Sequence, residues 1–240
     1  MTFKRAQKST DDHLFARKDG EKPKDAHIYD EVFDAILSRR LRPGTKLPED
    51  ELVDIFGVSR TVVRRALLRL SHDRIVDLKL NRGATVSAPG IKEAKEILDA
   101  RRMIEIKIAR VVASQITDAE LAATRELVMA ERECFHAEQT GSGIRLSGNF
   151  HLELAKLSGN STLMNFIQEL VPRTSLVIAQ YEIPNHAFCS HQEHFELLDV
   201  MATHNVDAAA QMMDTHLQHI EDKLDLSEAH SPDLREVFSS

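Results

Sequence analysis

The strongest structural signal in this sequence is a pair of short helical segments joined by a tight turn at Gly57-Val58-Ser59. Pro48 precedes the first segment, and a glycine at position 57 can adopt the left-handed conformation that ends a helix. Ser59 is a good N-cap for the second segment, whose apolar residues recur at a helical spacing. These apolar residues are Val63, Ala66, Leu67 and Leu70. The pattern predicts a helix-turn-helix.

The flanking residues complete a small domain. Apolar residues at a helical spacing predict a helix over about residues 27–40, ahead of this pair. After the pair, two short strands flank a predicted hairpin turn at Asn81-Arg82-Gly83. Three helices plus a β-hairpin wing make a winged helix-turn-helix, which we place at residues 27–88.

Several basic residues lie off the buried stripe of the third helix. A helix-turn-helix inserts its second helix into the major groove N-terminus first, which brings Arg60, Thr61 and Arg64 to the bases. An arginine there donates twice to guanine, whereas a single arginine on an outer helix face is usually only solvated. The prediction of DNA binding therefore depends on the whole set of elements in order, which are two helices joined by the Gly-Val-Ser turn, an arginine-rich second helix of that pair and a hairpin, and not on one arginine. The residues predicted to contact DNA are Arg60, Thr61, Arg64, Arg65, Arg82 and Gly83.

Charge is distributed unevenly along the chain. The whole sequence carries 31 Lys and Arg against 38 Asp and Glu, and this net charge of −7 by itself argues against a nucleic-acid partner. Residues 1–90 hold 18 of the basic and 14 of the acidic residues, which leaves 13 basic and 24 acidic residues for residues 91–240. The asymmetry indicates that the N-terminal part meets a polyanion, which we expect to be double-stranded DNA.

From residue 91 onward the sequence contains almost only helical signals, so the fold class is mainly α, with an all-α antiparallel bundle of about six helices over residues 91–228. A capping box at Thr117 begins the second of these helices, and Gly141 and Gly143 are expected to end it. The helices are predicted at about residues 91–115, 117–141, up to 157, 161–182, 188–203 and 207–226. Residues 1–26 and 229–240 are expected to form a flexible arm and tail.

The sequence also limits the compartment. No apolar run is long enough to span a bilayer, and the N-terminus lacks the apolar core of a secretory signal. Cys134 and Cys189 are too few for a disulfide framework and are expected to be reduced thiols. We therefore expect a cytoplasmic protein.

Three histidines fall on three predicted helices of the bundle, each beside apolar residues. They are His151, His194 and His216. A single histidine in such a place is usually a hydrogen-bonded core residue. Three on neighbouring helices can converge, and imidazole is a common ligand of zinc and similar divalent ions. Arg173, within the otherwise apolar fourth helix of the bundle, is a candidate to bind the carboxylate of an effector.

Two other functions use parts of this pattern. A metal-dependent hydrolase would use the histidines, but we see no carboxylate obviously paired with them, no serine nucleophile motif and no phosphate loop. An architectural DNA-binding protein would need neither the histidines nor the long bundle. We therefore expect a regulator and no enzyme.

A known family carries the N-terminal pattern. This region resembles the winged helix of the GntR transcriptional regulators, without gaps. The matching residues are LRPGTKLPEDELVDIFGVSRTVVRRALLRLSHDRIVDLKLNRGATV. The resemblance implies base and phosphate contacts from Arg60, Arg64 and the wing at Arg82-Gly83. Some members have an arginine where this chain has Asp50, so a phosphate contact made there is expected to be absent.

The C-terminal half is similar to the FCD-type effector domain of the FadR-like branch, in LDARRMIEIKIARVVA, FHLELAKLSGN and HFELLDVMATHNVDAAAQMMDTHL. The resemblance implies that a small organic acid, often with a divalent metal held by His151, His194 and His216, occupies the bundle interior and alters DNA affinity. It also implies that Arg101 faces the pocket. We expect a repressor that forms a homodimer, because two winged helices on a two-fold axis read a short inverted repeat. Ser147 stands where the family often has Asp or Asn, and we count it with Arg101 and Arg173 as a candidate to bind the effector. The fourth metal ligand is expected to be water, the effector or His191, unless no metal binds.

Overall fold

The computed structural model describes residues 23–79, 83–183 and 190–227, with the side chain of Ser190 left out. Arg82, Cys189, most of the predicted N-terminal arm and the predicted C-terminal tail lie outside the described residues. The fold is mainly helical, with one small antiparallel sheet, as the sequence predicted.

The N-terminal elements form a winged helix-turn-helix. They are α1 (Lys24–Leu37), β1 (Lys46–Leu47), α2 (Glu49–Phe56), α3 (Arg60–His72), β2 (Val76–Lys79) and β3 (Gly83–Val86). Gly57 ends α2 in the left-handed conformation, with φ of 59°. The predicted apolar residues of α3 are all buried.

Two details of this region differ from the sequence prediction. The first helix ends at Leu37 rather than near residue 40, because the chain leaves the helix at Ser38 and Arg39 takes a positive φ of 60°. The wing is a three-stranded sheet in the order β1-β3-β2, since the short β1 adds to the outer edge of the hairpin. Lys46 pairs with Thr85, and Val76 pairs with Val86.

Six helices follow within the described residues, matching the predicted number. They are α4 (Ile91–Gln115), α5 (Asp118–His136), α6 (Thr140–Leu157), α7 (Ser161–Tyr181), α8 (Ser190–Ala202) and α9 (Val206–Asp222). Thr117 and Glu120 form the predicted capping box at the start of α5. Among the described residues, no helix has the length and apolar character needed to cross a bilayer.

The glycines at positions 141 and 143 do not end α5, which was the prediction. Helix α5 ends at His136, and both glycines lie inside α6. A Cβ atom at Gly141 would lie 2.3 Å from the backbone oxygen of Asp34 in α1. Gly141 is therefore needed because α6 approaches the backbone of α1 closely, which is a tertiary reason.

Two hydrophobic cores result, and the N-terminal one includes residues from the bundle. The larger core lies among α4–α9. The core of the winged helix-turn-helix also contains Ile144 of α6 and Leu176 and Ala179 of α7. Helices α6 and α7 therefore pack against α1 as well as against the rest of the bundle.

Candidate metal centre and nucleic-acid interface

The three histidines of the bundle meet at one point. His151 on α6, His194 on α8 and His216 on α9 are each at most 1% exposed. Their Nε2 atoms lie 3.3 Å apart between His194 and His216, and 3.4 Å apart between His216 and His151. Within the described ranges, these three residues form the group whose donor atoms all lie within 4.8 Å of one another. His191 is not part of that group.

Each imidazole is also held by a glutamate on its opposite ring nitrogen. The Nδ1 of His151 bonds Glu105, that of His194 bonds Glu131 at 2.8 Å, and that of His216 bonds Glu193 at 2.6 Å. A carboxylate only accepts, so each Nδ1 carries a proton, and a ring in its neutral form then presents an Nε2 lone pair to the other two. Three lone pairs that face one another at these distances favour a cation between them.

The glutamates contradict the expectation that no carboxylate accompanies these histidines. Sequence reasoning missed them because they come from three helices, and only Glu193 is adjacent in sequence to a member of the triad. One signal was present. Arg101 and Glu105 lie on the same buried stripe of α4 as Ile108 and Val112, where two charged residues one turn apart indicate a buried pair.

Burial and charge set the protonation of this cluster. Desolvation acts to raise the pKa of Glu105, but the Arg101 charge and the His151 ring together lower that pKa to about 2. Desolvation lowers the pKa of His151 well below its ordinary value and that of His216 to about 4, although Glu105 and Glu193 oppose these shifts. At neutral pH His151 and His216 therefore offer neutral imidazole nitrogens, the form that binds metal.

A small cavity adjoins the triad. Its lining residues are Arg101, Ile144, Ser147, Gly148, His151, Ser175, Ile178 and Ile220. Arg101 is one of these lining residues, and its Nη2 is buried with no hydrogen-bond partner among the described residues, although the Nε of the same side chain bonds Glu105. The cavity volume is about 10 Å³, enough for about one water molecule.

The predicted effector residues separate into two places. Arg101 and Ser147 both line this cavity, next to His151. Arg173 does not line it; its guanidinium pairs with Glu93 at 2.9 Å and with Glu169 at 3.6 Å. The structure therefore brings Arg101 and Ser147 to the triad and leaves Arg173 in a partly exposed ion-pair network on α7.

The predicted DNA-contacting residues form an exposed face of α3. Thr61 is exposed, and the side chains of Arg60, Arg64 and Arg65 are each more than half exposed. Gly83 has a φ of 77°, and a Cβ atom there would lie 2.6 Å from the backbone oxygen of Leu47. Only glycine allows β3 to start beside β1 in this conformation.

The chain combines a winged helix-turn-helix with an α-helical bundle that has a buried polar centre. This combination is typical of a class of DNA-binding regulators. The pattern of the bacterial regulatory proteins of the gntR family matches residues 24–86, and the pattern of the FCD domain matches residues 96–219. This chain belongs to the GntR family of transcriptional regulators, in the branch with an FCD effector domain, and not to a class of enzymes.

Curated relatives agree with this assignment. The Nta operon transcriptional regulator of Aminobacter aminovorans is 25% identical over 182 residues, which cover 76% of this chain and 85% of that protein. The HTH-type transcriptional repressor RspR of Escherichia coli K12 is 24% identical over 205 residues, covering 84% of this chain and 89% of that protein.

Solved structures share the fold. Escherichia coli McbR/YncC has a TM-score of 0.69 at 19% identity, and a putative GntR transcriptional regulator from Rhodococcus sp. RHA1 has a TM-score of 0.65 at 26% identity. Each comparison covers 84% of this chain and 97% of the other. These relatives support the fold of both parts and their connection.

Proposed function

We propose that this protein is a repressor whose affinity for its operator depends on a divalent metal ion, zinc or a similar ion, and on a small carboxylate effector beside it. The metal part of this proposal rests on one observation. The Nε2 atoms of His151, His194 and His216 converge, and a glutamate orients each ring. In this proposal the protein acts in the bacterial cytoplasm, where its operator is. The residues that would contact DNA are Arg60, Thr61, Arg64, Arg65, Arg82 and Gly83.

The residues present fit a metal ion. Three neutral nitrogens would hold the ion, and the glutamates would orient the rings from behind, as outer partners of metal-bound histidines commonly do. Ser147 lines the adjoining cavity but is a poor ligand, so the triad leaves a coordination position for water or for the effector. When bound, the ion supplies a positive charge that attracts an anionic group.

Arg101 supports the choice of a carboxylate. Its buried Nη2 has no hydrogen-bond partner among the described residues, so a bound ligand could supply the acceptor. A buried guanidinium group binds a negatively charged acceptor more strongly than a neutral one. The cavity itself holds about one water molecule, so any larger effector must displace a wall. Four of the lining residues, Ile144, Ser147, Gly148 and His151, belong to α6, which makes this helix the wall that we expect to move.

Helix α6 also contacts the DNA-binding region directly. Its Arg145 donates from Nε to Asp34 of α1 at 2.8 Å, and Ser142 donates to the same carboxylate at 2.9 Å. With the close approach at Gly141, these contacts couple α6 to α1. We therefore propose that α6 transmits occupancy of the centre to the winged helix, which changes operator affinity by a coupling of about 1–3 kcal/mol.

The test uses full-length protein stripped with EDTA and then titrated with Zn²⁺. We expect one zinc ion per chain and a rise in the unfolding free energy of about 2.7 kcal/mol at a hundredfold excess over Kd. His194→Ala should abolish both effects, whereas His72→Ala, which alters an exposed histidine, should leave them unchanged. Full zinc binding by His194→Ala would refute the metal site.

The coupling is tested with the same protein and a selected operator duplex. Arg145→Gln should still bind zinc but lose the zinc-dependent change in operator affinity. Arg110→Gln is the matched control, because Arg110 pairs with Asp207 on the bundle surface and is not in the α1 contact. Equal zinc responses in both variants would refute a role for α6.

We further propose a homodimer, since two winged helices on a two-fold axis read a short inverted repeat. Light scattering should then give twice the 27.1 kDa of one chain. A single-chain mass at micromolar concentration, with one protein per operator, would contradict it.

A further inference from the structure

Two acidic residues in the first turn of α2 contact the arginines that are proposed to read DNA. The Nε of Arg64 donates to both carboxylate oxygens of Glu49, at 2.9 and 3.0 Å. Arg60 bonds Asp50 through its Nη2, and its Nη1 lies 3.7 Å from Glu49. The Glu49 side chain is only 19% exposed, whereas that of Asp50 is 75% exposed, so the two carboxylates are held to different degrees.

The contacts also use different atoms of the two guanidinium groups. Among the described residues, the polar contacts of Arg64 are made by its Nε, on the inner edge of the guanidinium. This leaves the two terminal Nη groups for the double contact to O6 and N7 of guanine. Arg60 is engaged through its terminal nitrogens, which are the groups that a base or phosphate would need. Glu49 therefore orients Arg64 without blocking it, whereas Asp50 competes with DNA for Arg60.

We infer that Glu49 is a specificity-determining positioning residue that acts through Arg64, and that Asp50 limits the sequence-independent affinity of the protein for DNA. The inference rests on the proposed role of α3 in reading bases. An unrestrained Arg64 pairs with any nearby phosphate, which raises non-specific binding and relaxes base preference. An exposed ion pair contributes little to folding, so we assign these ion pairs at the N-terminus of α3 to binding rather than to stability.

The experiment uses the full-length chain and a duplex selected by that chain from a randomised pool, with a scrambled duplex of equal length as competitor. Affinities are measured across a series of KCl concentrations. Glu49→Gln should lower the ratio of specific to non-specific affinity about tenfold and relax one base position. Asp50→Asn should raise both affinities and steepen the salt dependence by about one phosphate contact.

Glu51→Gln is the matched control, since Glu51 is an exposed residue of the same first turn of α2 and the substitution removes the same charge. Its specificity ratio should stay within about twofold of the parent. A double-mutant cycle with Arg64→Ala separates positioning from a general charge effect, because Glu49→Gln should change nothing further once Arg64 is absent.

Three results overturn the inference. If Glu49→Gln changes the specificity ratio no more than Glu51→Gln does, the positioning role is refuted. The role is also refuted if Glu49→Gln lowers that ratio as much in the Arg64→Ala background as in the parent. Unchanged salt dependence in Asp50→Asn refutes the masking of Arg60. Failure of the parent protein to select any consensus duplex refutes the proposed function as well, whereas the first three results leave that function intact.

Discussion

Carboxylates accompany the basic groups at both ends of this molecule, but their surroundings are opposite. In the bundle, the side chains of Glu105 and Arg101 are at most 4% exposed, and Glu105 also bonds His151. On the winged helix, the side chains of Arg60 and Arg64 are more than half exposed where they meet Asp50 and Glu49. The buried set is costly to break and therefore holds a geometry, whereas the exposed set can exchange carboxylate for phosphate.

The largest expected effect comes from breaking the buried pair. Glu105→Gln leaves the Arg101 charge without a counter-charge in the interior, so we expect a loss of about 3–5 kcal/mol in the free energy of unfolding. Glu93→Gln is the control, because Glu93 pairs with Arg173 while half exposed, and its loss should stay below about 1 kcal/mol. Urea denaturation of metal-free protein measures both. Equal losses would show that burial does not distinguish the two pairs.

A smaller effect is expected from pH, again only in the buried region. The pKa of His216 is about 4 in the folded protein, below the value of about 6.5 in an unfolded chain. The unfolded state therefore binds the extra proton first as pH falls, and His216 alone should cost the metal-free protein about 2 kcal/mol of stability between pH 7 and pH 5. Below pH 4.5, the depressed pKa values of Glu105 and Glu193 add a further loss in the same direction.

Substitution separates this pH dependence from a general acid effect. His216→Gln should make the stability profile between pH 7 and pH 5 less steep, leaving the contribution of His151, whose pKa is also lowered by burial. His72→Ala, which changes an exposed side chain, should not alter the profile. The unfolding free energy is measured in EDTA at each pH. A profile unaltered by His216→Gln would contradict the assignment.

The smallest energetic effect is expected at the exposed end, where it should appear in binding alone. Arg64→Ala should weaken binding to the selected operator about tenfold, through loss of a base contact. The unfolding free energy should change by less than about 0.5 kcal/mol, since Arg64 is a surface residue. Mobility-shift titration and urea denaturation provide the two readings. Undiminished discrimination between operator and scrambled duplex would refute a role for Arg64 in base recognition.

Local signals predicted the elements well where their boundaries have local causes. Helix α4 spans Ile91–Gln115, as predicted, since the helical pattern starts after Pro89-Gly90 and the capping box at Thr117 begins the next helix. The prediction was wrong at Gly141 and Gly143, because these glycines serve close packing inside α6. The short strand β1 was also missed, since two residues carry too little periodicity to be recognised.

The sequence by itself determined the mainly helical class, the helix-turn-helix and the three histidines as a candidate set, because helix caps, turns and apolar spacing act over a few residues. Only the tertiary structure decided that the three rings share one point, that a glutamate from another helix orients each, and that Arg101 rather than Arg173 lies beside them. These facts depend on the rotation and approach of six helices, which no local pattern specifies. The same holds for Glu49 and Asp50, whose contacts with α3 arise from the packing angle of two neighbouring helices.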